Sequence, residues 1–325
     1  MNIMAKKKRN NLIFFLIVII LSVAIGITFF FGRGKESNDK NSKEMDYHSM
    51  KFKGTTYEFD SSIVSILFMG VDSIDSESVG QADSLQLYLL NRKNQSIQVV
   101  ALSRDIMTDI HMYDVQHNDL GWDKQHLGLA YAYGSSKKNG AMLTTQAVSK
   151  LLFDVPINHF VAMDLTKLPE VHDIVGTLDV IVPNDSLVDE FPEWNKGNTI
   201  ILTRDNVEKF VRTRDIEKNY SNVERMERQK VYLNAFFAKV NEMLTQDFDG
   251  TVSKLYSVSK DLITNISLED IQSFAKMLQT YSYDQNTDFY TLKGIDKTGA
   301  NHDEFDVDEK ALKEMVVSLF YRKES

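Results

Sequence analysis

The longest apolar run comes first: positions 12–31 are apolar apart from Ser22, Gly26 and Thr28. About 20 such residues suffice for a helix to cross a bilayer. A polar stretch, 33–52, follows, rich in Lys, Ser, Asn, Asp and Glu, and reads as a linker. Beyond it, β-branched runs predict strands at 62–71, 85–91, 97–102, 157–163 and 178–182. Positions 103–128 carry no clear period and read as irregular. Helical spacing marks 129–153, broken by G-S-S-K-K-N-G at 134–140, and a short helix at 165–175. The pattern Ser221-x-x-Glu224 is a capping box opening a helix to about 244, with Val223, Met226, Leu233, Phe236, Phe237 and Val240 turned to the core. Two more helices are expected at 251–262 and 268–280, a strand at 288–292 and a terminal helix at 307–320. Strands alternating with helices predict an α/β fold, an α/β/α sandwich with a mixed central sheet behind one N-terminal transmembrane helix.

The flanks orient the apolar span. Lys6, Lys7, Lys8 and Arg9 precede it, which places the N-terminus inside. The run ends in three Phe without a small-residue cleavage site, so the span reads as a retained signal anchor. The expected organisation is a cytoplasmic tail at 1–11, an anchor at 12–31, a juxtamembrane linker at 32–54 and one extracytoplasmic domain at 55–325. The chain has no Cys, which excludes thiolate metal sites, disulfides and Cys nucleophiles.

Charge narrows the partners. The net charge is -9, and the four cations ahead of the anchor leave the rest at -13. An ectodomain of that sign is not built for nucleic acid, and the inside tail is too short to read DNA.

Against that background one window stands out. V-R-T-R at 211–214 and R-M-E-R-Q at 225–229 put Arg212, Arg214, Arg225, Arg228 and Gln229 within nineteen positions. If 211–214 is a strand, Arg212 and Arg214 face one way. On a helix, Arg225 and Gln229 share a face. Arg forks suit phosphate oxygens. The wider stretch 204–230 sets six acids against eight cations, so a solvated charged face accounts for it equally well. Asp72 closes one strand, and Asp83 opens the next. Two such carboxylates suit a hard cation that shares phosphate oxygens, although turn and cap roles explain them too. Arg104 follows a strand directly and reads either as an anion ligand or as half of a surface pair with Asp105. His126 reads as an anion contact, a base or a capping residue. Tyr131 and Tyr133 read as packing.

Taken in order, I-L-F-M-G-V-D (66–72), A-D-S-L (82–85), V-A-L-S-R-D (100–105), L-A-Y-A-Y-G (129–134), D-V-P-I-N-H-F-V-A-M-D (154–164), V-H-D-I-V-G-T-L-D-V-I-V (171–182) and F-V-R-T-R…R-M-E-R-Q (210–229) resemble the LytR–CpsA–Psr (LCP) family of cell-envelope proteins. The resemblance covers roughly 60–320 and implies a phosphotransferase. Such an enzyme takes a phosphoglycan, of teichoic acid or capsule type, from a polyprenyl-pyrophosphate carrier to peptidoglycan and releases polyprenyl phosphate. It implies Mg²⁺ or Mn²⁺ on Asp72 and Asp83, and a diphosphate clasped by Arg104, Arg212, Arg214, Arg225 and Gln229. Arg104, Asp83 and Arg214 would carry catalysis, with one of the two aspartates, Asp72 or Asp83, also a candidate proton acceptor. The implied partners are the lipid-linked polymer, peptidoglycan and membrane lipid, in a single-pass protein of a Gram-positive type envelope. The chain departs from the family pattern at Gln81, His126, Gly128, Gly176-Thr177, Asn222 and Glu224. Those departures keep two alternatives open: a regulatory protein that binds polyprenyl diphosphate without turnover, and a lipid pyrophosphate hydrolase.

Overall fold

The computed structural model describes residues 47–73, 79–213, 221–247, parts of 250–267, and 281–324 apart from 285 and 300–302. Its centre is a six-stranded mixed sheet. The strands are β3 (Ile63–Asp72), β4 (Gln81–Asn91), β5 (Ser96–Leu102), β8 (His159–Asp164), β11 (Ile263–Thr264) and β12 (Phe289–Thr291), in the order β11-β8-β3-β4-β5-β12. β3 runs antiparallel to β4 and parallel to β8, and β12 runs parallel to β5.

Alternation along the strands builds two cores, because successive side chains leave opposite faces. Val64, Ile66, Tyr88 and Leu90 join one core, and Leu67, Met69, Leu87 and Leu89 join the other. Helix α4 (Ser221–Gln246) covers the first face with Tyr232, Phe236 and Val240. Helices α2 (Leu168–His172) and α3 (Val207–Arg212) and the β9–β10 hairpin (Leu178–Ile181, Thr199–Leu202) join that core. Helices α1 (Lys137–Leu151) and α5 (Glu309–Phe320) cover the second, with Ala147, Val148, Val316 and Phe320. Each large apolar side chain buried there contributes about 1.5–3 kcal/mol. Ser136 accepts from the Asn139 amide to cap α1, and Asp308 from Ala311 to cap α5.

Several expectations change. The stretch 103–128 is ordered: β6 (Met107–Tyr113) and β7 (Asp119–His126) form a hairpin, which leads into a 3₁₀ helix over Leu127–Tyr133. Only Thr108 and Ile110 of that hairpin's strands are buried, so its polar outer face masks the strand period. A second hairpin, β13 (Gly294–Thr298) with β14 (Asp303–Val307), was not foreseen. Nor was the small sheet of β1 (Ser49–Phe52), β2 (Thr55–Phe59) and β15 (Tyr321–Lys323), whose first strand falls within the stretch read as linker. The pair Arg212/Arg214 does not share a strand, since Arg212 ends α3. Val207, Phe210 and Val211 are buried at helical spacing, and that apolar period outweighs the two-residue repeat of the arginines. The anchor at 12–31, Arg214 and the helix at 268–280 lie outside the described residues, as does most of 251–262. No helix among the described residues is long and apolar enough to cross a membrane.

Candidate functional site

The site forms where β3 ends, β4 begins and α4 starts. Gly70 pairs with Ser84 and Val71 with Ala82, so Asp83 is the extra residue of a bulge. Bulges re-aim side chains. Arg104 sits just past the end of β5. The 3₁₀ helix presses close behind it: Gly128 donates its amide to the Arg104 carbonyl at 2.9 Å. A Cβ at position 128 would come within 2.8 Å of the Ala82 carbonyl oxygen and 3.0 Å of Arg104 Cβ, so the approach requires glycine.

The side chains close into a ring. Asp83 accepts from Arg104 Nη1 through Oδ1. It accepts from Arg225 Nη1 through Oδ2 at 3.0 Å. Arg225 Nη2 donates to Asn222 Oδ1 at 2.7 Å, and Asn222 Nδ2 donates to Asp105 Oδ2 at 2.6 Å. Asp105 returns to Arg104 Nε at 3.5 Å. Two guanidinium groups and two carboxylates thus balance, joined by one neutral amide. Asn222, Arg225 and Asp105 are all less than a tenth exposed. Burial without such pairing would be costly. Asp105 is therefore no surface partner of Arg104 but part of an interior network.

A second group adjoins the ring. Arg212 reaches Asp72 and Glu208. Gln229 links the two groups, accepting from Ser84 Oγ at 3.2 Å and donating to the Val211 carbonyl at 3.4 Å. Asp72, Asp83, Arg104, Arg212, Arg225 and Gln229 are thus gathered at one end of the central strands β3, β4 and β5. Arg214 is not among the described residues.

Arg228 plays a different part. It is 1% exposed and donates through Nε to the Phe210 carbonyl at 2.8 Å, through Nη2 to the Thr213 carbonyl and through Nη1 to Ser186. It ties α4 to the carbonyl end of α3, where a cation is favoured. Desolvation, and then the charge of Arg225, push it down to about 10.

The expected core face of α4 also turns. Val223 is 47% exposed, whereas Asn222, Arg225, Arg228 and Gln229 are buried in line with Tyr232 and Phe236. Ser221 is itself helical, and its buried hydroxyl finds no partner among the described residues, so the capping box does not form as read. Phe237 lies outside the described side chains.

A cavity of about 450 Å³ opens beside the ring. Asp83, Arg104, Asn222 and Gln229 line one end, and Leu85, Met226, Phe289 and Phe305 form apolar walls. Lys230 reaches it with its ammonium 4.2 Å from the Phe289 ring centre. Asp296, on β13, lines it as well. Asp296 is exposed on β13; partial desolvation, then Asp105 and Asp303, raise its proton affinity, and no ion pair or hydrogen bond engages its carboxylate among the described residues. Sequence reading missed Asp296, Lys230 and the bridging part of Asn222. Only the position of Asn222, one turn before Arg225, signalled it. His126 does not line the cavity; its ring bonds the Asp303 carbonyl at 3.0 Å and so clasps β7 to the β13–β14 hairpin. Tyr131 is buried as packing.

No three His, Asp or Glu side chains among the described residues form a ready-made metal cage. The donor chemistry still suits Mg²⁺, which takes one or two carboxylates and fills its octahedron with phosphate oxygens and water. Asp72, with a side chain 42% exposed, fits that part directly. Asp83 has both oxygens held by arginines and fits it when one of them turns to a phosphate.

Known proteins share this fold. The sequence profile of the LytR_cpsA_psr family matches residues 27–320. The polyisoprenyl-teichoic acid–peptidoglycan teichoic acid transferase TagU of Bacillus cereus is 32% identical over 218 residues, 66% of this chain and 64% of that relative's length. The crystal structure of B. subtilis TagV aligns with a TM-score of 0.59 at 23% identity, over 80% of this chain and 96% of that one. A structure of TagT bound to LI-WTA aligns with a TM-score of 0.58 at 22% identity, over 81% and 92%. With the profile spanning nearly the whole described chain, the protein belongs to the LytR_cpsA_psr family.

Proposed function

We propose that the protein transfers a phosphoglycan from a polyprenyl-diphosphate carrier to a hydroxyl of peptidoglycan, outside a membrane in which residues 12–31 anchor it. The observation that carries this reading is the pair Arg104 and Arg225, held on either side of Asp83 at the head of a partly apolar cavity. Phosphoryl transfer depends on positioning and charge neutralisation more than on covalent help. Kinship with a relative named as a teichoic acid transferase supports the same class of polymer.

In this reading Arg104, Arg212, Arg214, Arg225 and Gln229 hold the diphosphate, and the apolar walls take the start of the lipid. Asp72, with Asp83, holds Mg²⁺ or Mn²⁺, which when bound supplies charge neutralisation on the diphosphate oxygens. Asp83 aligns the two arginines. With both its oxygens engaged it is a poor proton acceptor, and that part falls to Asp296, which faces the cavity unengaged. Attack by the acceptor oxygen on the sugar-side phosphorus forms one P–O bond and breaks the anhydride bond. The electron pair leaves with polyprenyl phosphate, and the hydroxyl proton goes to Asp296. The test is an assay of the full-length protein with a lipid-diphosphate donor, with and without peptidoglycan. Polyprenyl phosphate released only with the acceptor supports transfer. Release without it means hydrolysis, and binding without release means a sensor.

A further inference from the structure

The cavity beside the ring holds a cation that the ring does not use. Lys230, half-buried on α4, lines it and makes no ion pair or hydrogen bond among the described residues. Its ammonium rests on the face of Phe289, 4.2 Å from the ring centre. The acid best placed on its own helix is Glu227, one turn earlier. That carboxylate accepts from Asn184 Nδ2 at 2.9 Å instead. Asp296, on the same cavity, does not pair with Lys230 either.

Position separates Lys230 from the clamp. Arg104 and Arg225 are fixed on Asp83 at the head of the cavity. Lys230 lies five residues past Arg225, about 7.5 Å further along α4. Its neighbour Gln229 turns to Ser84 and the Val211 carbonyl, whereas Lys230 reaches to β12. Met226, Phe289 and Leu292 beside it leave little water to screen its charge. A ring face holds an ammonium more weakly than an anion does. The flexible stem of Lys lets the ammonium leave the ring for such a ligand.

We infer that Lys230 is the counter-ion for a carboxylate or phosphate carried on a sugar next to the reacting diphosphate, and so selects charged glycan over neutral glycan. This rests on the reading of the cavity as the place where donor and acceptor meet. Asp296 sets the other limit, because it repels an anion brought beside it. The charged substituent therefore lies toward Lys230 and the reacting hydroxyl toward Asp296. The same chemistry serves a donor sugar or an acceptor sugar, and the experiment separates the two.

The test compares full-length wild type, Lys230→Gln and Lys230→Arg by calorimetry, with thermal melts alongside. The donor probes are farnesyl diphosphate carrying glucuronic acid and the same carrier bearing glucose. The acceptor probes are a peptidoglycan disaccharide with its lactyl carboxylate free or amidated, titrated into protein loaded with pyrophosphate. Inorganic pyrophosphate alone reports on the clamp. Wild type is expected to prefer the charged member of one pair by about 10-fold, the worth of one hydrogen bond to a charged group. The pair that shows the preference identifies the sugar. Lys230→Gln is expected to lose the preference and Lys230→Arg to keep most of it. If wild type shows no preference in either pair, or Lys230→Gln keeps it, the inference is overturned while the diphosphate site stands. Lys230→Gln that weakens pyrophosphate as much as the charged sugar also overturns it, by placing Lys230 in the clamp. If wild type binds no probe, pyrophosphate included, the site reading and this inference fall together.

Discussion

At the scale of single residues the account separates arginines that resemble one another in sequence. Arg104 and Arg225 stand beside the cavity on a shared carboxylate, and Arg228 is locked into backbone carbonyls. Arg104→Ala should lower turnover about 10²- to 10³-fold, the range for one preorganised donor lost, with the melting temperature nearly kept; Arg225→Ala, which also strips the buried Asp83 and Asn222 of their charged partner, should lower turnover and melting temperature together. Arg228→Met should do the reverse: it strips buried carbonyls of a charged donor and costs about 3 kcal/mol, read by denaturant titration, with the surviving folded fraction still active. Gly128→Ala tests the close approach behind Arg104. A methyl 2.8 Å from the Ala82 oxygen must push the 3₁₀ helix away, and turnover should fall more than stability does. Asp296→Asn should reduce turnover about 10²- to 10⁴-fold, as loss of a general base does, and leave pyrophosphate affinity unchanged. Unaltered turnover in that variant would remove Asp296 from the proton path.

At the scale of elements, the strands buried on both faces were readable and the elements around the site were less so. β3, β4, β5 and β8 announce themselves as apolar runs between polar turns. The hairpins β6–β7 and β13–β14 do not, because almost none of their side chains is buried. The first turns of α4 invert the usual signal. There the buried face is polar, since Asn222, Arg225, Arg228 and Gln229 satisfy one another and their neighbours, and the apolar Val223 points outward. Hydrophobic period alone therefore assigns the wrong face wherever a buried ionic network replaces a core. The same physics concealed Asn222, a residue with no chemistry of its own that matters only through Asp105 and Arg225. A quieter link joins α2, β10 and α4. His172 is fully buried and donates to the Leu202 carbonyl at 3.2 Å, and Tyr232 Oη lies 3.5 Å from its other nitrogen. Desolvation lowers its proton affinity below the usual range. The folded state thus favours neutral His172, and below about pH 6.5 the unfolded chain binds the extra proton. Stability should fall as pH drops through about 6.5, and His172→Gln should flatten that slope in melts taken on either side of it.

At the scale of the whole molecule, the sheet packed on both faces forms the floor of the site, and every described residue that the family resemblance implied gathers at one end of its central strands. The departures from the family pattern also find places. Gln81 and Asn222 belong to the hydrogen-bond network of Arg104 and Arg225, and Gly128 lets the 3₁₀ helix approach. They read as a coherent local variant of the clamp. If Asp72 holds a divalent ion on the diphosphate, chelation by EDTA should stop turnover and Mg²⁺ should restore it, and Asp72→Asn should raise the Mg²⁺ needed. Turnover that persists in EDTA would remove the metal from the account. The central claim is transfer, and one measurement reaches it most directly. The full-length protein in lipid vesicles is given a polyprenyl-diphosphate-linked glycopolymer, and both products are followed with and without peptidoglycan. The account predicts polyprenyl phosphate and polymer-bearing peptidoglycan in equal amounts, with neither formed when the acceptor is withheld and both reduced about 10²- to 10³-fold in Arg104→Ala. Phosphate release that is indifferent to peptidoglycan, or donor binding with no product at all, would contradict it.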